Sequence, residues 1–149
     1  MNDNLPAVGT ITYDGYTLDV DTYLRAEYTD VGQAAVELPC VIEWLNSLLS
    51  YYVSSELMEY RAIKRAEADA YFDLKGGTYA STYGDKMTEA ALAYAVERDQ
   101  RVIDAVAMHA ESKAWSARIR NLISTLIAKL ELVRTVEATR RHVDHVISR

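Results

Sequence analysis

Four bases and four aromatic side chains crowd the stretch from Tyr60 to Tyr79: Arg61, Lys64, Arg65 and Lys75 stand among Tyr60, Tyr71, Phe72 and Tyr79. Cations interleaved with flat rings suit single-stranded nucleic acid, because the cations track phosphates and the rings stack on bases. If the segment is helical, Arg61, Lys64 or Arg65, and Lys75 share roughly one face. The plainer reading makes Tyr71 and Phe72 core plugs, with Glu67, Asp69 and Asp73 diluting the positive charge. A second basic set follows Trp115: Arg118, Arg120, Lys129, Arg134, Arg140 and Arg141. In an oligomer these line a rim or channel; in a monomer they pair with acids elsewhere at little net stability.

Other candidates for chemistry are sparse. His142 and His145 lie three apart with Asp144 beside them, a spacing compatible with a metal on one side of a helix. His109 is distant in sequence and Cys40 has no matching thiol, so a four-ligand site does not assemble, and neither metal nor cofactor is expected. No G-x-S-x-G elbow, Walker loop or dinucleotide-binding glycine fingerprint occurs, and Gly76-Gly77 is not followed by Lys-Ser/Thr. Carboxylates recur at helical intervals without forming a recognisable acid–base pair. The expectation is a protein that is not an enzyme.

These side chains belong to a chain of 149 residues, 50% apolar and 26% charged, a globular balance with length for one modest core. The net charge of −6 conceals an asymmetry. Residues 1–60 carry one base, Arg25, against ten acids, a net −9; residues 61–149 carry fifteen bases against twelve acids, a net +3. From Ser112 onward eight bases face three acids, a net +5. Solvated helix faces account for such mixtures, and so does a basic surface for an anionic ligand beside an acidic one for a basic partner. No run of about 18 apolar residues occurs, so no membrane-spanning helix is expected. Met1-Asn2-Asp3-Asn4 is acidic and lacks an apolar run, so no secretory signal is expected. The single cysteine, Cys40, sits among Pro39, Val41 and Ile42 and reads as a small buried side chain in a reducing cytoplasm.

The elements that must position these residues are mostly helical. Ile11, Tyr13, Asp14-Gly15, Tyr16, Leu18 and Val20 alternate around an Asp-Gly turn, which predicts a β-hairpin. Asp21 to Asp30 reads as a short helix or an irregular link. A first long helix starts between Asp30 and Glu37, placing Pro39 in its first turn or two. Its apolar positions run through Leu38, Val41, Ile42, Leu45, Leu48, Leu49, Tyr52, Val53, Leu57, Tyr60, Ile63, Ala66, Ala70, Tyr71 and Leu74 at spacings of three and four. Gly76 and Gly77 stop it, opening a bend that extends to Gly84. Thr88 caps a second helix, which no Gly or Pro interrupts up to Arg149. Ile119, Ile123, Leu126, Leu130, Val133 and Glu137 form a coiled-coil-like seam along it. The expected fold is mainly α: two long amphipathic helices in a helical hairpin, with a small N-terminal β-hairpin, in an oligomeric assembly. The expected division is an N-terminal extension, 1–37, and a helical-hairpin domain, 38–149.

The order of these features resembles the UvsY-type recombination mediators of tailed phages and related small phage helical proteins. The similarity covers about residues 38–141. It starts with a helix bearing Leu45-Asn46 and then the bases Arg61, Lys64 and Arg65. The pair Tyr71-Phe72 and the break Lys75-Gly76-Gly77 follow. Lys86-Met87-Thr88-Glu89-Ala90 leads into Val96-Glu97-Arg98-Asp99, and Leu132-Val133-Arg134 and Thr139-Arg140-Arg141 close the second helix. The resemblance implies a ring-forming homo-oligomer that binds single-stranded DNA and helps a RecA-like recombinase displace the single-strand DNA-binding protein. It places DNA contacts at Lys64 and Arg65, with Lys75 after the aromatic pair. Glu67 and Ala68 depart from the pattern where a base is expected, as does the overall acidity. The alternative is a non-catalytic phage structural or adaptor protein that binds a protein partner through its long helices.

Overall fold

Alternation and an Asp-Gly dipeptide give the only sheet among the described residues, which in this computed structural model are 9–25, 31–76 and 88–147. β1 (Thr10–Tyr13) pairs antiparallel with β2 (Tyr16–Asp19), Ile11 opposite Leu18 and Tyr13 opposite Tyr16. Asp14 and Gly15 connect them with φ of 50° and 76°, the double positive φ of a type I′ turn, whose twist matches that of the strands. Thr12 and Thr17 share a hydroxyl hydrogen bond of 3.0 Å across the ladder. A two-stranded hairpin is marginal alone. This one turns Ile11 into the core and sets Tyr13 edge-on against Trp44, ring centroids 6.2 Å apart.

The short helix α1 (Val20–Arg25) follows directly, with Val20 fully buried. Its late carbonyls have no intrahelical partners, and the Lys129 ammonium donates to Tyr23 O at 2.9 Å and Leu24 O at 3.2 Å. Partial burial holds that ammonium below the ordinary lysine range.

Helix α2 (Val31–Gly76) starts within the expected window and ends at the expected glycine. The bend beyond it, from Gly77 to Gly84, lies outside the described residues. Pro39 is the ninth residue of α2, later than the first two turns expected for it. The helix runs through, forgoing the one hydrogen bond that a proline nitrogen cannot make. Cys40, expected to be buried, is exposed. Leu38, Val41 and Leu45 define the inner face, and a residue one step from Val41 is rotated about 100° away from it.

The second long segment, expected to be unbroken, is two helices: α3 (Glu89–Glu97) and α4 (Gln100–Ile147). Thr88 caps α3 as expected, its hydroxyl accepting from Ala91 N at 3.2 Å. The break between them needs no Gly or Pro because Asp99 supplies a competing cap. Its carboxylate accepts from Arg101 N at 2.9 Å and its carbonyl from Val102 N and Ile103 N at 3.0 Å. Arg98 relaxes to φ −95°, ψ −4°.

The chain divides into two compact units, Met1–Leu49 with Arg118–Arg149, and Ser50–Ala117. In the first, Leu38, Leu45, Ile119 and Leu126 are completely buried, each contributing roughly 1.5–3 kcal/mol of apolar burial. The seam from Ile119 to Val133 is thus buried within the chain. In the second, Ala70 of α2, Val96 of α3 and Val102 of α4 form a small core, with Ala66, Tyr71 and Leu74 against it. Val53, Leu57 and Tyr60, expected on the inner face of α2, are exposed instead. Helical phase puts Tyr52, Glu56, Glu59 and Ile63 on the inner face at that level, in line with Leu48 and Ala70.

Candidate nucleic-acid interface

The last four turns of α2 owe their orientation to Ile63 and Ala70, which are buried, with Ala66 and Leu74 partly buried beside them. At about 100° per residue, this fixes the opposite face as the outer one. Arg61, Lys64, Arg65, Phe72 and Lys75 fall on that outer side, with Tyr71 at its margin towards the core, within an arc of about 120° and over a length of roughly 21 Å. The six expected residues therefore share a face, though not one environment.

Phe72, the only phenylalanine of the chain, is 69% exposed. Tyr71 is half-buried and packs on the Ala70–Val96–Val102 core, so the core-plug reading holds for Tyr71 and fails for Phe72. The two rings meet edge to face, 5.8 Å between centroids. Tyr71 also orders a cation: Lys75 Nζ donates to its hydroxyl at 2.6 Å. At that distance the ammonium sits at the rim of the ring, not over its centre, although the centroid is 4.9 Å away. Glu89 lies 3.9 Å from the same ammonium. Lys64 Nζ donates to Glu67 Oε2 at 2.8 Å and approaches the Tyr60 ring at 5.7 Å.

The hydrogen bonds to Glu67 and to Tyr71, with the neighbouring negative groups, hold Lys64 and Lys75 above the ordinary lysine range, so both stay charged. Arg61 and Arg65 are exposed and make no hydrogen bond or ion pair with another described residue. Among the described residues the face therefore offers two guanidinium groups without an ion pair, two tethered ammonium groups and one open ring. Tyr79 lies outside the described residues.

The later basic set is dispersed. Lys129 serves α1, Arg141 pairs with Glu137, and Arg134, Arg140, His142 and His145 are exposed. Among the described residues no three His, Cys, Asp or Glu side chains converge as metal ligands. Arg101 bridges Asp99 at 2.9 Å and Asp73 at 2.8 Å, fastening the start of α4 to the end of α2 and removing Asp73 as a free acid near the candidate face.

One constellation escaped the sequence reading. Ser112 Oγ donates to Glu59 Oε1 at 2.8 Å, and Ser112 and Ser116 are buried on the α4 face that carries Ile119. The signal lay in the spacing: residues 102, 105, 109, 112, 116, 119, 123 and 126 continue the seam upstream in steps of three and four, with polar residues at 109, 112 and 116.

The chain matches no protein-family model, no curated protein and no solved structure.

Proposed function

We propose that this protein is a non-catalytic, single-stranded DNA-binding recombination mediator that contacts DNA through the outer face of α2. The observation that carries the reading is Phe72. Exposing the only phenylalanine on a face with Arg61, Arg65, Lys64 and Lys75 gives nothing to the core and supplies what a base-stacking platform needs. Glu67 and Glu89 lie close by and temper the positive field, which favours modest, salt-sensitive binding.

The likeness to UvsY-type mediators extends the proposal to a homo-oligomeric ring, a RecA-like recombinase and the single-strand DNA-binding protein as partners, and the cytoplasm of a phage host as the setting. No helix among the described residues is long and apolar enough to cross a membrane. Light-scattering mass measurement with and without a labelled oligonucleotide tests assembly and binding together. A monomer that retains no oligonucleotide at low salt refutes both.

A second reading is a structural or adaptor protein that docks a protein partner. It draws on Leu132, Val136, Val143 and Ile147, which are exposed along α4 at spacings of 4, 7 and 4. A hetero-complex that forms normally with Arg61→Ala, Arg65→Ala protein lacking oligonucleotide affinity favours this alternative.

A further inference from the structure

The inner faces of α2 and α4 carry acid and hydroxyl groups where a helix pair ordinarily carries leucine. On α2 the seam runs through Tyr52, Glu56, Glu59 and Ile63, and on α4 through His109, Ser112, Ser116 and Ile119. All but Ile119 lie in the second unit. Cross-pairs there fix an antiparallel register: Tyr52 stacks on Trp115 at 6.0 Å, Glu59 accepts from Ser112, and Tyr60 meets His109 at 6.2 Å. Ser116 is one turn beyond Ser112, and Glu56 one turn before Glu59, so that register points Ser116 at Glu56.

Three oxygens of this layer are buried without a hydrogen-bond partner: Glu56 Oε1, Glu59 Oε2 and Ser116 Oγ. Ser116 is 0% exposed. The proton supply falls short. Ser112 has committed its hydroxyl to Glu59 Oε1, and one hydroxyl proton on Ser116 cannot satisfy two carboxylates. No Lys, Arg or His among the described residues forms an ion pair with either acid, and Arg61 lies on the opposite face of α2. Glu56 and Glu59 are part-buried, each with one oxygen shielded from water and no positive charge against it, which is unfavourable. Tyr52 and Trp115 stack beside the layer.

We propose that this polar layer binds one hydrated divalent cation of the magnesium class, with Glu56 and Glu59 as carboxylate ligands and Ser116 as a hydroxyl ligand. The oxygen-only donor set selects a hard cation. Three protein oxygens are too few for the six to eight that calcium takes and suit magnesium, which keeps much of its water shell and uses one or two carboxylates. The site is independent of the nucleic-acid reading and is tested without DNA.

The experiment titrates the metal-stripped full chain with Mn²⁺, read by electron paramagnetic resonance, and displaces it with Mg²⁺. Expected is one saturable site per chain, with affinity reduced roughly tenfold or more in Glu56→Gln and Glu59→Gln and unchanged in Glu97→Gln, whose carboxylate is on the surface. A second measurement needs no variant: Mg²⁺ raises the thermal midpoint of the wild type and leaves that of a helical, folded Glu56→Gln/Glu59→Gln protein where it was. Non-saturable Mn²⁺ binding that is the same in wild type and both glutamine variants, or a midpoint indifferent to Mg²⁺, overturns the proposal and leaves ordinary buried water as the partner of these oxygens.

Discussion

Removing the Phe72 ring and removing the arginines beside it should weaken single-stranded DNA binding in distinguishable ways. Stacking of one base on an exposed ring contributes about 1–3 kcal/mol, so Phe72→Ala should lose roughly 5- to 150-fold in affinity at every salt concentration. Cations act differently, because each phosphate they neutralise adds about −0.7 to the slope of log affinity against log salt for a single strand. Arg61 and Arg65 pair with no other described residue, whereas Lys64 and Lys75 share their charge with Glu67 and Glu89. The wild-type slope should therefore lie between about −1.4, for two phosphates, and −2.8, for four. Arg61→Ala with Arg65→Ala should flatten it by about 1.4, and Phe72→Ala should leave it unchanged. All three side chains are exposed, so thermal stability should move by no more than about 0.5 kcal/mol and the comparison stays one of binding. Fluorescence anisotropy of a labelled oligonucleotide between 50 and 200 mM salt reads both quantities. Wild-type binding that Phe72→Ala does not alter, or a slope that survives the double arginine variant, refutes the assigned face.

Further outcomes follow from the scaffold. Leu126→Ala, at a completely buried position, should cost about 3–5 kcal/mol, lowering the urea midpoint without a change in m-value. Gly15→Ala forces a side chain onto φ of +76° and should cost about 1 kcal/mol, with loss of the near-ultraviolet dichroism that the Tyr13–Trp44 contact generates. Side-chain and backbone hydrogen bonds from Arg101 hold the Asp99 carboxyl below the usual aspartate range. Its folded-state proton affinity is thus depressed, so its stabilising contribution is present above the unfolded value, near 3.9, and is lost as pH falls through the lower folded one. The Arg101 amide resonance should report a titration below pH 3.9; a midpoint at the ordinary value removes Asp99 as the cap that divides α3 from α4.

What the sequence disclosed and what it withheld follow from the range of each interaction. The hairpin was legible because alternation and Asp14-Gly15 are local signals, and the α2 stop was legible at Gly76. The break at Arg98–Asp99 was not, since neither Gly nor Pro marks it and the competitor is an aspartate that bonds its own backbone neighbours. Cys40 misled because its apolar sequence neighbours are not its neighbours on a helix. Tyr71 and Phe72 show the same geometry from the other side. Adjacent in sequence and about 100° apart in space, one ring packs on the core and the other faces outward. Their adjacency in sequence hides this difference in environment.

That difference links the two proposed sites through helix phase. The register of α2 against α4 decides which face of α2 points outward. In the second unit apolar packing alone specifies it weakly, because Ile63, Ala70 and Val102 are few and small. Apolar seams tolerate a slip that exchanges one leucine-sized knob for another, whereas a carboxylate moved off its serine is buried without a donor. The Glu59–Ser112 bond adds a register-specific contact that an apolar seam lacks. Glu59 precedes Arg61 by two residues, so the same helical phase that directs the carboxylate inward sends the guanidinium outward. Together with buried Ile63 and Ala70, the polar layer thereby contributes to where the outward-facing cations and Phe72 stand. The acids at 56 and 59 act on the candidate DNA face by orienting it, without contributing a contact to it.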